Sequence, residues 1–427
     1  MLINLLQFDR FIQELEYAFE RVPFYSKHLA AAGLTPDDII EPEDIQRIPP
    51  TEKKDYRRNF PAGVLAAGYK LSDEGLVKSQ SSGTSGERLI TYELGMLLMD
   101  RALTCTGIHP AVEAAFAATP RKICRFAAPN CSDVECANPN SSMQDRMLSD
   151  GTLVLPVYHD LLTTPEFMLD RALEEICLYQ PNLYYVDPTH FALLMRHAIK
   201  RGIRVPQAPL VATYTAITPL NRKQILDAFA SFGYTGTVFS ALVSSSEMGW
   251  LALDCPHGQL HLNSDCYLTE LLSGDRITTP GEVGELLISS LDNGAVPHIR
   301  YRTGDTFVLK PQDCPCGLPH PAVDWAGRVS EQLSTTEYPH IHPYQIHQAI
   351  GAPDWLDLYQ FTQLSADKSC LLLIVNQHYQ AVKLLDILAP LQQLLGKQHE
   401  IEHQLVGYIA TERSGKFQCV RAMTDKY

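Results

Sequence analysis

The sequence predicts an α/β protein with a large N-terminal domain of stacked, helix-covered sheets that includes an antiparallel β subdomain, followed by a small α+β C-terminal lid domain. Three observations lead there. Between about residues 79 and 245, short apolar runs alternate with amphipathic patterns, which is the signature of parallel strands joined by crossover helices. From about 258 to 310 the texture changes to shorter alternating runs separated by Gly and Asp turns. After Arg328 a segment of about 100 residues mixes strand and helix patterns. A chain of 427 residues is too long for one core, so two domains are expected, 1–328 and 331–427.

In chain order, Phe8, Phe11, Ile12, Leu15, Phe19 and Val22 recur at helical spacing until Pro23 interrupts, giving an amphipathic helix laid on a larger body. The stretch through RNFP alternates short helical runs with Pro and Asp caps. TLVLPVYH, NLYYVD, LVATYTAIT and TGTVFSALV read as strands, TTPEFMLDRALEEICLY and PTHFALLMRHAIK as helices. QLHLNSDCYLTELL and GEVGELLISSL form the antiparallel part. DWLDLYQFTQL, KSCLLLIVN and a helix through AVKLLDILAPLQQLLG make up the C-terminal lid.

Composition excludes several classes. Hydrophobic residues at 45% and charged residues at 20% are ordinary globular usage. No apolar run reaches the roughly 18 residues of a membrane span, and the acidic start is unlike a signal peptide, so no membrane partner and a cytoplasmic location are expected. A formal net charge of −14 without a basic tract repels a nucleic-acid backbone. The eleven Cys of such a chain are reduced thiols; most sit singly among apolar neighbours, as Cys105, Cys124 and Cys177 do, and only the cluster near Cys314 looks purposeful.

Four motifs carry chemistry. Ser81, Ser82, Gly83, Thr84, Ser85 and Gly86 form a hydroxyl- and Gly-rich loop able to close backbone N–H groups on phosphate oxygens; a plain surface loop is the bland alternative. YRTGD, Tyr301 to Asp305, is placed just after a strand, where Asp305 could accept hydrogen bonds from both ribose hydroxyls, or simply form a turn with Gly304. In SSSEMGW, Glu247 stands in an uncharged stretch and could hold Mg²⁺ against triphosphate oxygens. In ERSGKFQCVR, Lys416 on a Ser-Gly turn is a compact charge suited to a developing anion, although C-terminal lysines are commonly just solvated. Neither a GK[ST] phosphate loop nor a GxSxG elbow is present.

In order and separation these four resemble the acyl-adenylate-forming superfamily, which includes acyl-CoA synthetases, luciferases and peptide-synthetase adenylation domains. Within it the sequence resembles phenylacetate:CoA ligase and its relatives through PFYSKHLAAAGL, DIQRIPPTEKKDYRRNFP, SSGTSG, SSSEMG, CPHGQLHLNSD, YRTGD, CPCGLPHP and GRVSE, spanning nearly the whole chain. The resemblance implies an acid:thiol ligase that uses ATP and Mg²⁺ to make an acyl-AMP and pyrophosphate. The acyl group then passes to a thiol, either CoA or the pantetheine of an acyl or peptidyl carrier protein. It implies that Ser81 to Gly86 cradle the β- and γ-phosphates and that Glu247, with Ser246 beside it, coordinates Mg²⁺. Asp305 binds the ribose with Arg328 nearby, Thr215 belongs to the adenine loop, and Lys416 contacts the carboxylate and α-phosphate. A hinge next to the GR pair lets the small domain rotate between half-reactions, and a homodimer is implied as well. The sequence departs from the family in three places. Val243 stands where an aromatic ring usually stacks on adenine, and Ser330 stands where the hinge usually has Asp. Thr213 to Thr218 replace a Gly/Glu-rich adenine loop, so backbone atoms there would have to supply those contacts.

Cys314 and Cys316, with Cys255 and a histidine of CPHGQLH, offer three thiolates and an imidazole for a closed tetrahedral Zn²⁺ site; unliganded turn cysteines are the alternative from spacing alone. Some relatives carry a Cys-His-Cys-Cys zinc site at this place, and His261 fits that pattern better than His257, in a structural role. The acid pocket of the superfamily would be lined here by Tyr185, His190, Tyr214 and Ser240, and with no Asp placed for an α-ammonium, an aryl or other non-amino acid is favoured. Two competing readings are a non-catalytic nucleotide-binding scaffold, suggested by Val243 and Ser330, and an adenylating enzyme with a non-CoA acceptor.

Overall fold

The opening amphipathic segment becomes the helix Leu5–Arg21, whose N-terminus is closed by reciprocal bonds between Asn4 and Gln7. Phe8, Phe11, Leu15 and Ala18 are buried along one face. Val22 is extended, and Pro23 then restarts the chain as the first residue of the helix Pro23–Ala31, so the expected interruption is a restart rather than a loop. The computed structural model describes residues 4–80, 89–128 and 140–423. These fall into two compact units, 1–110 with 242–325, and 111–241 with 326–427.

In the first unit the antiparallel strands Tyr267–Ser273, Val283–Ser290 and Tyr301–Leu309 pair in sequence, while Gly249–Asp254 pairs with Leu260–Leu262, which in turn pairs with Ala322 and Val323. The N-terminal helices pack on this sheet through Leu268, Leu291 and Ile299. Glu14 is enclosed there, accepting hydrogen bonds from Ser290 Oγ and Asn293 N, both at 2.5 Å. Burial, partly offset by Ser290, pushes its carboxyl up to about 7.

In the second unit Thr152–Val154, Ile123–Phe126, Leu183–Val186, Leu210–Ala212 and residues 239–241 form parallel neighbours in that order. Lateral partners share a face because side chains alternate along each strand. Cys124, Tyr184, Leu210 and Phe239 therefore join Phe191, Leu194 and Phe229 in the core under the helices Glu166–Tyr179, Pro188–Arg201 and Pro219–Ser231. Arg125, Tyr185, Val211 and Ser240 form the matching row on the opposite face. The C-terminal strands Glu400–Leu405, Lys368–Val375, Leu356–Ser365 and Val420–Arg421 make a four-stranded sheet. Its core takes in Leu161 and Leu220 beside Leu333, Phe361 and Leu391, and Gln224 Nε2 donates to the carbonyls of Leu356 and Asp357 at 3.2 and 3.0 Å. The C-terminal segment is thus packed as part of this unit. Among the described residues no helix is long and apolar enough to cross a membrane.

Candidate active site

Glu247 sits at the tip of the hairpin joining Phe239–Ser245 to Gly249–Asp254, yet only 3% of it is exposed. Gly249, at φ +82°, makes the turn a Cβ would strain, and Ser245 Oγ caps it by accepting from Met248 N at 3.1 Å. A buried carboxylate needs partners. Tyr301 Oη donates to Glu247 Oε1 at 3.0 Å, and Lys53 Nζ lies 3.3 Å from the same oxygen. Burial works to raise the pKa, but the Lys53 charge and these hydrogen bonds outweigh it and hold the carboxyl below its ordinary value. Lys53 reaches this position because Thr51 bridges to Tyr301: Thr51 N donates to Arg300 O and Arg302 N to Thr51 O, which fixes the start of the helix Lys53–Asn59 beside the hairpin. His298 completes the cluster, stacked on Tyr56 at 4.7 Å and edge-on to Tyr301 at 5.0 Å. Burial lowers its pKa to about 4, so the ring is neutral. Neither Lys53 nor His298 is assigned a role in the sequence reading; Lys53 lies within the DIQRIPPTEKKDYRRNFP segment and His298 in no motif.

The YRTGD segment does not follow a strand; it lies inside one, Tyr301–Leu309. The reason is a bulge. Glu285 pairs with Thr306 but Leu287 pairs with Arg302, so three residues, 303 to 305, oppose one, and Gly304 takes φ +80°. Such a bulge breaks the alternation of side chains and re-aims one of them. Asp305, 7% exposed, receives Trp325 Nε1 at 3.4 Å. Ser246 Oγ donates to Gln80 O at 3.3 Å, tying the Glu247 hairpin to the residue just before the Ser81 to Gly86 loop; that loop lies outside the described residues.

Also in the first unit, the ligand atoms of Cys255, His261, Cys314 and Cys316 all lie within 4.8 Å of one another. Cys255 and Cys314 sulfurs are 3.7 Å apart, and Cys316 Sγ is 3.4 Å from His261 Nε2. His261 Nδ1 is 2.8 Å from the His320 carbonyl, which fixes Nδ1–H as donor and leaves Nε2 free to ligate. Three sulfurs and one imidazole nitrogen are the donor set and spacing of a closed tetrahedral zinc site. His257 is not in this group.

The second unit holds the remaining residues. Asp187 ends the strand Leu183–Val186 and caps the helix Pro188–Arg201, accepting from Thr189 N and His190 N at 3.0 Å each. His190 Nδ1 lies 3.1 Å from the same oxygen, and Thr215 Oγ1 donates to the other at 2.9 Å. The carboxyl is fully buried, which raises its pKa, but the interaction with His190 and these donors outweigh burial and lower it. Tyr185 meets Tyr214 edge-on at 5.4 Å, with the Arg125 guanidinium 5.2 Å over the Tyr185 ring. Ser240, in the same lateral row as Tyr185, is fully buried, and its hydroxyl has no partner among the described residues. Arg328 ends the strand Ala322–Arg328; a Cβ on the preceding Gly327, at φ +120°, would come within 2.6 Å of Pro343. Lys416 lies on a turn closed by Glu412 N to Lys416 O at 2.9 Å, with Gly415 at φ +79°. That turn is anchored by Tyr408 Oη to Asp160 at 2.5 Å and Thr411 Oγ1 to the His159 carbonyl at 3.4 Å. Glu247, Ser246, Asp305 and the sulfur cluster therefore fall in one unit, and Arg328, Lys416 and the residues around Asp187 in the other.

This architecture is shared with solved adenylate-forming ligases. A 2-hydroxyisobutyryl-CoA ligase in the postadenylation state with 2-HIB-AMP superposes with a TM-score of 0.74, at 18% identity, over 98% of this chain and 89% of that one. The anthranilate CoA ligase AuaEII in complex with anthranoyl-AMP does so at 0.53, 14% identity, 85% and 69%. The chain has the fold of these acyl-CoA ligases. In sequence it is 25% identical over 373 residues to the phenylacetate-coenzyme A ligase of Thermus thermophilus, covering 84% of this chain and 77% of that protein. To the Escherichia coli K12 phenylacetate-coenzyme A ligase it is 37% identical over 86 residues, 20% of this chain and 19% of that one. Residues 333–422 match the CapK C-terminal domain family. In sequence the chain is thus similar to phenylacetate-coenzyme A ligases, and in fold to solved acyl-CoA ligases.

Proposed function

We propose that this protein activates a small carboxylic acid, an aryl acid by preference, with ATP, forming acyl-AMP and pyrophosphate, and transfers the acyl group to the thiol of CoA or of a carrier-protein pantetheine. The observation that carries the reading is the buried, ionised Glu247 between Lys53 and Tyr301. A hard anionic oxygen with a cation beside it suits Mg²⁺ and triphosphate oxygens arriving together. In this reading Glu247 would hold Mg²⁺, which supplies charge neutralisation on the pyrophosphate leaving group. Lys53 swings from the carboxylate to a phosphate oxygen, Asp305 accepts from the ribose hydroxyls, and the Thr213 to Thr218 backbone receives the adenine that Val243 cannot stack. Lys416 neutralises the carboxylate and α-phosphate as the oxygen–phosphorus bond forms.

The deciding experiment is ATP:pyrophosphate exchange across a panel of aryl and short aliphatic acids. Exchange with at least one acid is expected; silence across the panel with AMP still bound would favour a nucleotide-binding scaffold, the reading that Val243 suggests. With an exchanging acid, Lys416→Ala should lower the rate about a thousandfold, while a supplied acyl-AMP still reacts with thiol. Unchanged exchange removes Lys416 from the chemistry. Adding CoA and then a phosphopantetheinyl carrier separates the two acceptors, and a product on neither points to a non-CoA acceptor. For the sulfur cluster, we expect about one zinc per chain, held by Cys255, His261, Cys314 and Cys316 in a structural role. Metal analysis without chelators that finds none ends that assignment. A homodimer and a cytoplasmic location accompany this reading, the first checked by sedimentation and the second by cell fractionation.

A further inference from the structure

Two of the three segments expected to enclose the acid, Tyr184 to His190 and the 213–218 loop, meet at a single carboxylate, the third being the strand that ends at Ser240 to Val243. Asp187 closes the strand Leu183–Val186, caps the helix Pro188–Arg201, and holds Thr215 of the 213–218 loop. His190 is the one ring in that arrangement with a nitrogen to spare. Its Nδ1 is 3.1 Å from Asp187 Oδ1. In a neutral imidazole one nitrogen donates and the other accepts, and a carboxylate on Nδ1 fixes the tautomer that leaves a lone pair on Nε2. That Nε2 is buried and has no hydrogen-bond partner among the described residues, in a side chain only 1% exposed. Its nearest ring neighbour is apolar, Phe126, edge-on at 6.5 Å. Rotating the imidazole away would cost its contact with the buried Asp187 carboxylate, so that contact orients the acceptor. An acceptor enclosed in this way is costly unless a donor meets it.

We propose that His190 Nε2 is a specificity determinant which accepts a hydrogen bond from a hydroxyl or amino substituent on the acid, so that the substrate is a donor-bearing acid rather than a plain hydrocarbon one. The inference rests on the adenylation reading above and narrows its substrate class. His190 acts on recognition and takes no part in the bond-making step. Sites built to receive a donor discriminate strongly against analogues that lack it, since the buried acceptor is then left unpaired.

The test is ATP:pyrophosphate exchange by the full chain with matched acids: hydroxy- and amino-substituted aryl and short-chain acids, their unsubstituted parents, and their methyl ethers. The expected result is a kcat/KM at least about tenfold higher for one donor-bearing acid than for its parent and ether. His190→Leu should reduce that ratio to about twofold or less. His190→Gln, whose amide oxygen can occupy the place of Nε2, should restore much of it, and AMP binding by thermal shift should not change in either variant. A ratio near one in the unaltered protein, or a ratio that survives in a folded His190→Leu, overturns the assignment to His190 while leaving adenylation standing. If His190→Leu does not fold, the unaltered ratio and the Gln variant decide. Exchange with no acid at all sinks adenylation itself, and this inference with it.

Discussion

Glu247 and Asp187 are both carboxylates taken almost wholly out of water, one in each unit, and both stay ionised. They do so by different means. Glu247 relies on two side chains, the Tyr301 hydroxyl and the Lys53 ammonium, and Lys53 is itself a third exposed. Asp187 relies on His190 and on two backbone amides of a helix's first turn, supplemented by Thr215. A flexible lysine can leave for another anion and be replaced by a cation from solution. Helix amides cannot. The first arrangement suits an exchangeable ligand site and the second a permanent joint, a distinction that burial alone would not reveal.

The sharpest test of that difference exchanges each acid for its amide. Glu247→Gln should reduce pyrophosphate exchange by about 10²- to 10³-fold, the scale of losing one group that neutralises transition-state charge. Its thermal midpoint should fall only modestly, because the depressed pKa makes the ionised group stabilising, yet Lys53 can turn to solvent and the amide oxygen still accepts from Tyr301. A Glu247→Gln protein that unfolds but exchanges normally when folded would break the comparison.

Asp187→Asn should do the reverse. The amide keeps a carbonyl for the helix cap but loses the charge that His190 and Thr215 address, costing about 2–4 kcal/mol in chemical denaturation. Linkage gives a second check. The folded pKa of Asp187 is depressed, so its contribution is present above the unfolded value of about 3.9 and is lost as pH falls through the folded one. Acid unfolding of Asp187→Asn should therefore show a shallower dependence below pH 4 than the unaltered protein.

The same contrast explains what could be read in advance. Strand and helix identities were legible because period-2 and period-3.6 patterns report local burial: PTHFALLMRHAIK did become Pro188–Arg201, and LVATYTAIT gave a strand at Leu210–Ala212. The sulfur cluster was legible because thiols are scarce and their spacing is constrained. Glu247 stood out only as an acid in an uncharged stretch. Lys53, which faces it, did not, since its chain neighbours Lys54, Arg57 and Arg58 make it look like one of a solvated run; it is placed by the Thr51 bridge to Tyr301, about 250 residues away. The bulge at residues 303 to 305 was hidden for a related reason. Local sequence reports the turn-forming Gly304, but whether a turn or a bulge results depends on the register with Glu285 and Leu287 across the sheet. Asp187 has no role in the sequence reading beyond its place at the end of NLYYVD, because a helix cap and a joint between segments look alike in one dimension.

Glu14 extends the comparison to a third outcome. It is as buried as the other two, but its partners are one hydroxyl and one amide, with no paired cation in hydrogen-bond contact among the described residues, and the Asp292 charge nearby opposes ionisation. Burial prevails, and the folded pKa rises to about 7. The sign is then opposite to that of Asp187. The folded protein binds a proton more tightly than the unfolded chain, so the stabilisation is complete below the unfolded value of about 4.3 and is lost as pH climbs through 7. Glu14→Gln, which mimics the protonated form, should be nearly indistinguishable from the unaltered protein at about pH 4. At pH 8 it should be more stable by up to about 3–4 kcal/mol, read from denaturant midpoints across that range. Equal pH slopes for the two proteins would mean that Glu14 is ionised in place, and that hydroxyl and amide donors hold a buried carboxylate as well as the Lys53 cation does at Glu247.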